Sequence, residues 1–204
     1  EGKRMAIYRA ERSVEGDELK KRKRGTRRAP ENVPYIVDNL WEWKRPDEYP
    51  NRRYSVFAAP SPESAAASAT DASRLYTVSL PADARIVQIR GISDAKLHRD
   101  CKHLPRKLMA LLYKEGWTEK SADEKRLLSP LWAPCLSKEE VESLFTLEPL
   151  ASIRKEMWCS VSFWEDVDLL ESVDNLADNV GEIFFEAGEW TLCPFELNDQ
   201  HDEG

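Results

Sequence analysis

The chain has 204 residues, 41% apolar and 33% charged, with seven Trp, six Tyr and six Phe. That much apolar surface excludes a chain disordered as a whole, the length favours one domain or two small ones, and no apolar run approaches the ~18 residues that cross a bilayer. The net charge of −7 conceals a polarity: residues 1–53 carry 15 Lys and Arg against 10 Asp and Glu, whereas from Glu156 onward there are 14 acids and no Lys or Arg.

In chain order, Met5–Ala10 (MAIYRA) reads as a short apolar strand. The first residues, EGKRMAIYRAERS, hold no apolar core of a secretory leader. Residues 17–28 predict a helical turn passing into a basic loop, with Gly25 inside it. Seven basic residues and no acid lie in Lys20–Arg28. Such a run steers a phosphate-bearing ligand or nucleic acid, or is simply a solvated loop. Residues 30–53, rich in aromatics and carrying prolines at 30, 34, 46 and 50, predict an irregular but anchored connection.

Tyr54–Ala59 (YSVFAA) is a second strand, stopped by Pro60-Ser61-Pro62. Ser61 then caps a helix with Pro62 at its first position. Leu75–Leu80 and Ala84–Arg90 alternate with period two and flank a turn, as a strand pair does. Leu104–Gly116 is an amphipathic helix, and Ser137 with Glu140 forms a capping box for a helix over Lys138–Phe145. Met157–Trp164 reads as a strand by its aromatic and β-branched content, Val167–Ala177 as a helix, and Gly181–Phe185 and Trp190–Leu197 as closing strands. This order predicts an α+β fold with antiparallel sheets. It is expected as one domain over residues 1–197, with a mainly helical insertion at about 97–156 that docks a target and a disordered tail at 198–204. Cys101, Cys135, Cys159 and Cys193 lie far apart with no C-x-x-C pair, so reduced thiols of a cytoplasmic protein are expected. Three His do not supply a usual zinc site with this spacing, and no metal is expected.

Three polar residues stand in or at the ends of predicted strands. Arg9 either meets an anionic ligand, whose phosphate suits the planar guanidinium fork, or pairs with a carboxylate of the fold. Glu182, between Gly181 and Ile183-Phe184-Phe185, is either an edge-strand charge or a rigidly held carboxylate beside a cleft, able to stabilise an oxocarbenium-like transition state. Ser55 lies at the start of the second strand.

The order of four blocks carries a resemblance. Ile7-Tyr8-Arg9-Ala10 followed by Glu11-Arg12-Ser13 and Asp17-Glu18-Leu19, then Tyr54–Ala65, then Tyr76–Val87, then Gly181–Gly188 is similar to the cholera-toxin-like ADP-ribosyltransferases, over about half the chain. The resemblance implies split antiparallel sheets around an NAD cleft with peripheral helices. It further implies that Arg9, on a strand with Tyr8 and Ala10, binds the phosphates or ribose of NAD. Ser55 then steadies the glutamate and ribose, and Glu182 promotes loss of nicotinamide. Tyr54 or Phe57 stacks on the nicotinamide, while Trp41 and Trp43 wall the pocket or pack in the core. Two departures matter. Only Ser55 stands where the family reads Ser-Thr-Ser, and position 180 is Val where arginine-modifying members carry Glu or Gln. The implied activity is therefore NAD-dependent transfer of ADP-ribose to a macromolecular acceptor other than arginine. Settings for such enzymes include bacterial effectors, toxins and phage, acting in the cytoplasm of the producing or a target cell. The alternatives are an NAD glycohydrolase or RNA 2′-phosphotransferase on the same fold, or a non-catalytic protein binding nucleic acid or an acidic partner through Lys20–Arg28. No membrane partner is expected.

Overall fold

The computed structural model describes residues 5–12, 16 and 18–196. Among the described residues, eight strands make two four-stranded sheets. The first contains β1 (Tyr8–Arg12), β2 (Leu19–Arg22), β4 (Ser73–Ser79) and β8 (Glu189–Pro194), in the order β1-β4-β8-β2. The second contains β3 (Val56–Ala58), β5 (Arg85–Ile89), β6 (Val167–Leu170) and β7 (Ile183–Glu186), in the order β3-β7-β5-β6. Every pairing is antiparallel. The fold is α+β.

The second sheet is the middle layer, as its side chains declare. On β7, Ile183 and Phe185 enter an apolar cluster shared with Ile7, Tyr76, Val78 and Leu192 of the first sheet's side. Phe184 points the other way, into a larger cluster built mainly by helices. Period-two alternation thus feeds two cores from one strand, and both faces are covered, so Ile183-Phe184-Phe185 is apolar throughout. The helices are α1 (Tyr35–Lys44), α2 (Pro62–Ala66), α3 (Asp100–Lys114), α4 (Ala122–Leu128), α5 (Lys138–Leu144) and α6 (Leu150–Ser160). The last four follow one another between β5 and β6.

Capping signals translate directly. Ser61 Oγ accepts the Ser64 N–H at 3.1 Å with Pro62 opening α2. Both reciprocal bonds of the Ser137/Glu140 box form on α5. Elsewhere tertiary context overrides local pattern. Residues 19–22, expected within a helical turn, form β2 because β8 offers a pairing edge, and its charged Lys and Arg suit an edge strand. The irregular connection expected over 30–53 contains α1, which occupies the stretch between Pro34 and Pro46. Met157–Trp164 is not a strand: Met157 is the last buried step of Leu150, Ile153, Met157 on α6, a helical spacing that a reading begun at 157 does not see. Val167–Leu170 is a strand rather than a helix because it adds to the edge of β5. β4 and β5 are not partners either; the chain between them crosses from one sheet to the other. The tail at 198–204 and the helical turn's Asp17 lie outside the described residues.

A backbone bridge joins the two sheets. Tyr8 N–H donates to the Ala59 carbonyl and Ala59 N–H returns the bond to Tyr8, both at 2.8 Å. Because β3 pairs with β7 as Val56↔Phe185, Phe57↔Phe184 and Ala58↔Ile183, the next step of the register sets Ala59 opposite Glu182. This connection carries β1 to the start of β7.

Candidate active site

At that junction lies a cleft of about 370 Å³ whose walls include Tyr8, Arg9, Phe57, Asp38, Arg52 and Glu182. Ala10 also lines it. Residues from near both ends of the chain therefore share one hollow.

Glu182 is held from its backbone outward. Its N–H donates to the Ile92 carbonyl at 2.7 Å and its carbonyl accepts the Ile89 N–H at 2.9 Å. The loop before it is shaped by two side chains. Gln88, fully buried on β5, accepts the Ala177 N–H at 2.8 Å and donates to the carbonyls of Asp178 at 2.9 Å and Gly181 at 3.1 Å. Asp178 accepts the backbone N–H groups of Gly91, Val180 and Gly181 at 2.8, 2.8 and 2.6 Å. Burial resists ionisation of Asp178, but the N–H groups of Gly181, Val180 and Gly91 outweigh it and hold the carboxyl below its ordinary range. Gly181 is required by contact: a Cβ there would lie 1.9 Å from the Ile89 carbonyl oxygen.

The Glu182 carboxylate receives little in return. Its Oε2 accepts the Ala95 N–H at 3.3 Å, while Oε1 is buried without a hydrogen-bond partner among the described residues. Loss of water pushes its pKa up to about 7, against the smaller opposing pulls of Arg52 and the Ala95 N–H. A carboxyl near that value changes charge across neutral pH.

Facing it is Arg52. Its guanidinium stands 4.9 to 5.3 Å from the ring centroids of Phe184, Phe57, Trp41 and Phe163, a cationic plane in an aromatic box. Nη1 is 4.0 Å from Glu182 Oε1 and Nε is 4.0 Å from Asp38 Oδ1. Both distances exceed a hydrogen bond, and Nε and Nη1 are buried without hydrogen-bond partners among the described residues. Arg53 is the opposite case: its donors reach Asp38 Oδ2 at 2.8 Å, the Leu136 carbonyl at 2.6 Å and Asn39 Oδ1 at 2.9 Å. Arg52 was not singled out by the sequence reading. Its one visible signal was an Asn-Arg-Arg run directly before an apolar strand, where two cations are costly unless built into something.

Arg9 has two attachments. Nε donates to Glu11 Oε2 at 2.7 Å and Nη1 to the Phe57 carbonyl at 2.7 Å. It therefore pairs with a carboxylate of the fold, the second of the two alternatives, and also lines the cleft. Phe57 lines the same cleft. Trp41 and Trp43 are core residues, with indole N–H groups bonded to Asp100 at 3.0 Å and Glu142 at 2.6 Å.

Ser55 requires a correction. The β3–β7 register sets it opposite Glu186, four residues and about 13 Å along the strand from Glu182 at ~3.3 Å per residue. Its hydroxyl donates to the Asn51 carbonyl at 2.7 Å. The reason is direction: antiparallel to β7, the start of β3 meets the end of β7, so the serine cannot steady Glu182. Ser55 and Tyr54 line a second hollow of about 190 Å³, which also takes in Arg9 and Arg28 from the first.

No protein-family model, curated protein or solved structure matches the chain.

Proposed function

We propose that this chain is an NAD-dependent ADP-ribosyltransferase, its split antiparallel sheets and peripheral helices forming one domain around an NAD cleft, with a macromolecular acceptor other than arginine. The observation that carries the reading is the convergence of Arg9 and Glu182, far apart in sequence and based on different sheets, on a single cleft. An unreacted carboxylate in a low-dielectric wall is suited to stabilising a cationic sugar. In the reaction, the bond between ribose C1′ and the nicotinamide nitrogen breaks and its electron pair leaves with nicotinamide. The acceptor's lone pair then closes on C1′ as the acceptor loses its proton. Glu182 opposes the developing positive charge, Phe57 offers a ring for the leaving group, and Arg9 presents its remaining donors to the ligand. The test is incubation of labelled NAD with cell lysate and either wild type or Glu182→Ala, followed by nuclease or protease. The reading expects label in macromolecules only with wild type; equal labelling by Glu182→Ala removes it.

A further inference from the structure

The second hollow does not take in Glu182, yet it is lined by more cations than the first. Arg22, Arg24 and Arg28 line it beside Arg9, and Tyr54 and Trp190 supply aromatic surface. β2 brings these cations together: in its pairing with β8, Lys21 stands opposite Trp190 and Arg22 opposite Glu189, while Arg22 and Arg24 are exposed and make no ion pair among the described residues. Arg28 pairs with Glu31, itself largely exposed, at 2.7 Å, and Lys21 with Glu11 at 3.4 Å. Trp190 itself is half-buried, and its indole N–H, screened from solvent, has no hydrogen-bond partner among the described residues. The hollow adjoins the cleft: β3 and the residues flanking it contribute Tyr54, Ser55 and Val56 to one and Phe57, Ala58 and Ala59 to the other, and Arg9 and Arg28 wall both.

We infer that this second hollow seats the acceptor, and that the acceptor is a single-stranded nucleic acid. Resting on the proposed transferase reading, this names the acceptor class it leaves open. Cations interleaved with aromatic rings suit a phosphodiester backbone whose bases stack, and a chain held there runs along β3 toward the ribose site. An acidic peptide satisfies the cations but makes no use of the two rings. A duplex offers no unstacked base to them.

The test is fluorescence anisotropy with a labelled 12-nucleotide single strand, as RNA and as DNA, on the full chain, with poly-glutamate and duplex as competitors. Arg22→Glu combined with Arg24→Glu, both exposed positions, should weaken binding at least tenfold and flatten its salt dependence. Binding of the variant within twofold of wild type, or equal competition by poly-glutamate or duplex, overturns the inference. As a check on wild type alone, photocrosslinking of a 5-bromouridine strand should mark Tyr54 or Trp190; adducts only elsewhere overturn it as well. Nicotinamide release, measured separately without oligonucleotide, reports on the transferase reading: its absence with strand binding intact removes that reading, while its presence without strand binding removes only the acceptor assignment.

Discussion

Two glutamates mark the two ends of β7, and their surroundings are opposites. Glu186 accepts from Lys23 at 2.5 Å, Arg85 at 2.9 Å and the Asn51 N–H at 2.8 Å. Burial alone would raise its pKa, but Lys23, the Asn51 N–H and Arg85 together hold it below the ordinary value. Glu182, on the same face of the middle sheet, keeps one carboxylate oxygen without a hydrogen-bond partner among the described residues and a pKa pushed up to about 7. The same contrast recurs in Arg53, whose fork is fully engaged, and Arg52, whose Nε and Nη1 are not. One end of the strand has its charges matched within the fold. The other holds a carboxylate and a guanidinium near each other but apart, which a stability argument alone does not explain.

Substitutions should separate the two ends. The largest loss is expected at Arg53: Arg53→Ala leaves Asp38 buried and without its closest donor, costing about 3–5 kcal/mol in chemical denaturation. Arg52→Met should cost less, because the aromatic box accepts an apolar side chain and Nε and Nη1 make no hydrogen bond among the described residues, although Asp38 and Glu182 lose a cation 4.0 Å away; a loss equal to that at Arg53 would show that Arg52 is structural. Gly181→Ala follows Arg53→Ala in size, at about 3 kcal/mol, since its methyl meets the Ile89 carbonyl and the strand must shift.

The glutamates should differ in the sign of their pH dependence. Glu186→Gln is expected to cost about 1–3 kcal/mol near neutral pH by weakening its bonds to Lys23 and Arg85. Because its folded pKa is depressed, that contribution is present above the unfolded value near 4.5 and disappears as pH falls through the folded one. Glu182→Gln should do the reverse. Its folded pKa is raised, so wild type loses stability as pH rises from 4.5 through about 7, and removing the buried charge stabilises the chain at pH 8 by up to about 3 kcal/mol. Parallel urea titrations of the two variants at pH 5 and 8 check this. Curves that move the same way with pH would break the contrast.

The smallest effect is expected from Arg9→Lys. Arg9 keeps a fold bond to Phe57 and an ion pair to Glu11, so stability should change by less than about 1 kcal/mol. Ligand affinity should nevertheless fall, because a lysine keeps the charge but not the fork.

What was legible in the sequence was local. Ser61 with Pro62 and Ser137 with Glu140 announced helix starts through chemistry that needs only neighbours in the chain. The alternation in β4 and β5, and the apolar run after Glu182, announced strands. The two extreme site residues could be placed on strands for the same reason. What was not legible depended on pairing partners. β2 looks nothing like a strand until β8 supplies its edge, and α6 was divided by a window that caught only its final turn. Ser55 was assigned to the wrong end of β7 because sequence does not disclose register, and a four-residue displacement moves a side chain out of the site altogether. Arg52 escaped notice because a buried guanidinium is identified by the four rings around it, which come from α1, β3, β7 and the turn at Phe163, and not by its own neighbours.

The measurement that bears most directly on the site is the rate of nicotinamide release from NAD between pH 5.5 and 8.5, for wild type and Glu182→Gln. An ionised Glu182 opposing a cationic sugar predicts a wild-type rate that climbs through about pH 7, and a variant slower by at least about 100-fold with no such step. A variant that releases nicotinamide as fast as wild type, or a wild type that releases none, would contradict the account.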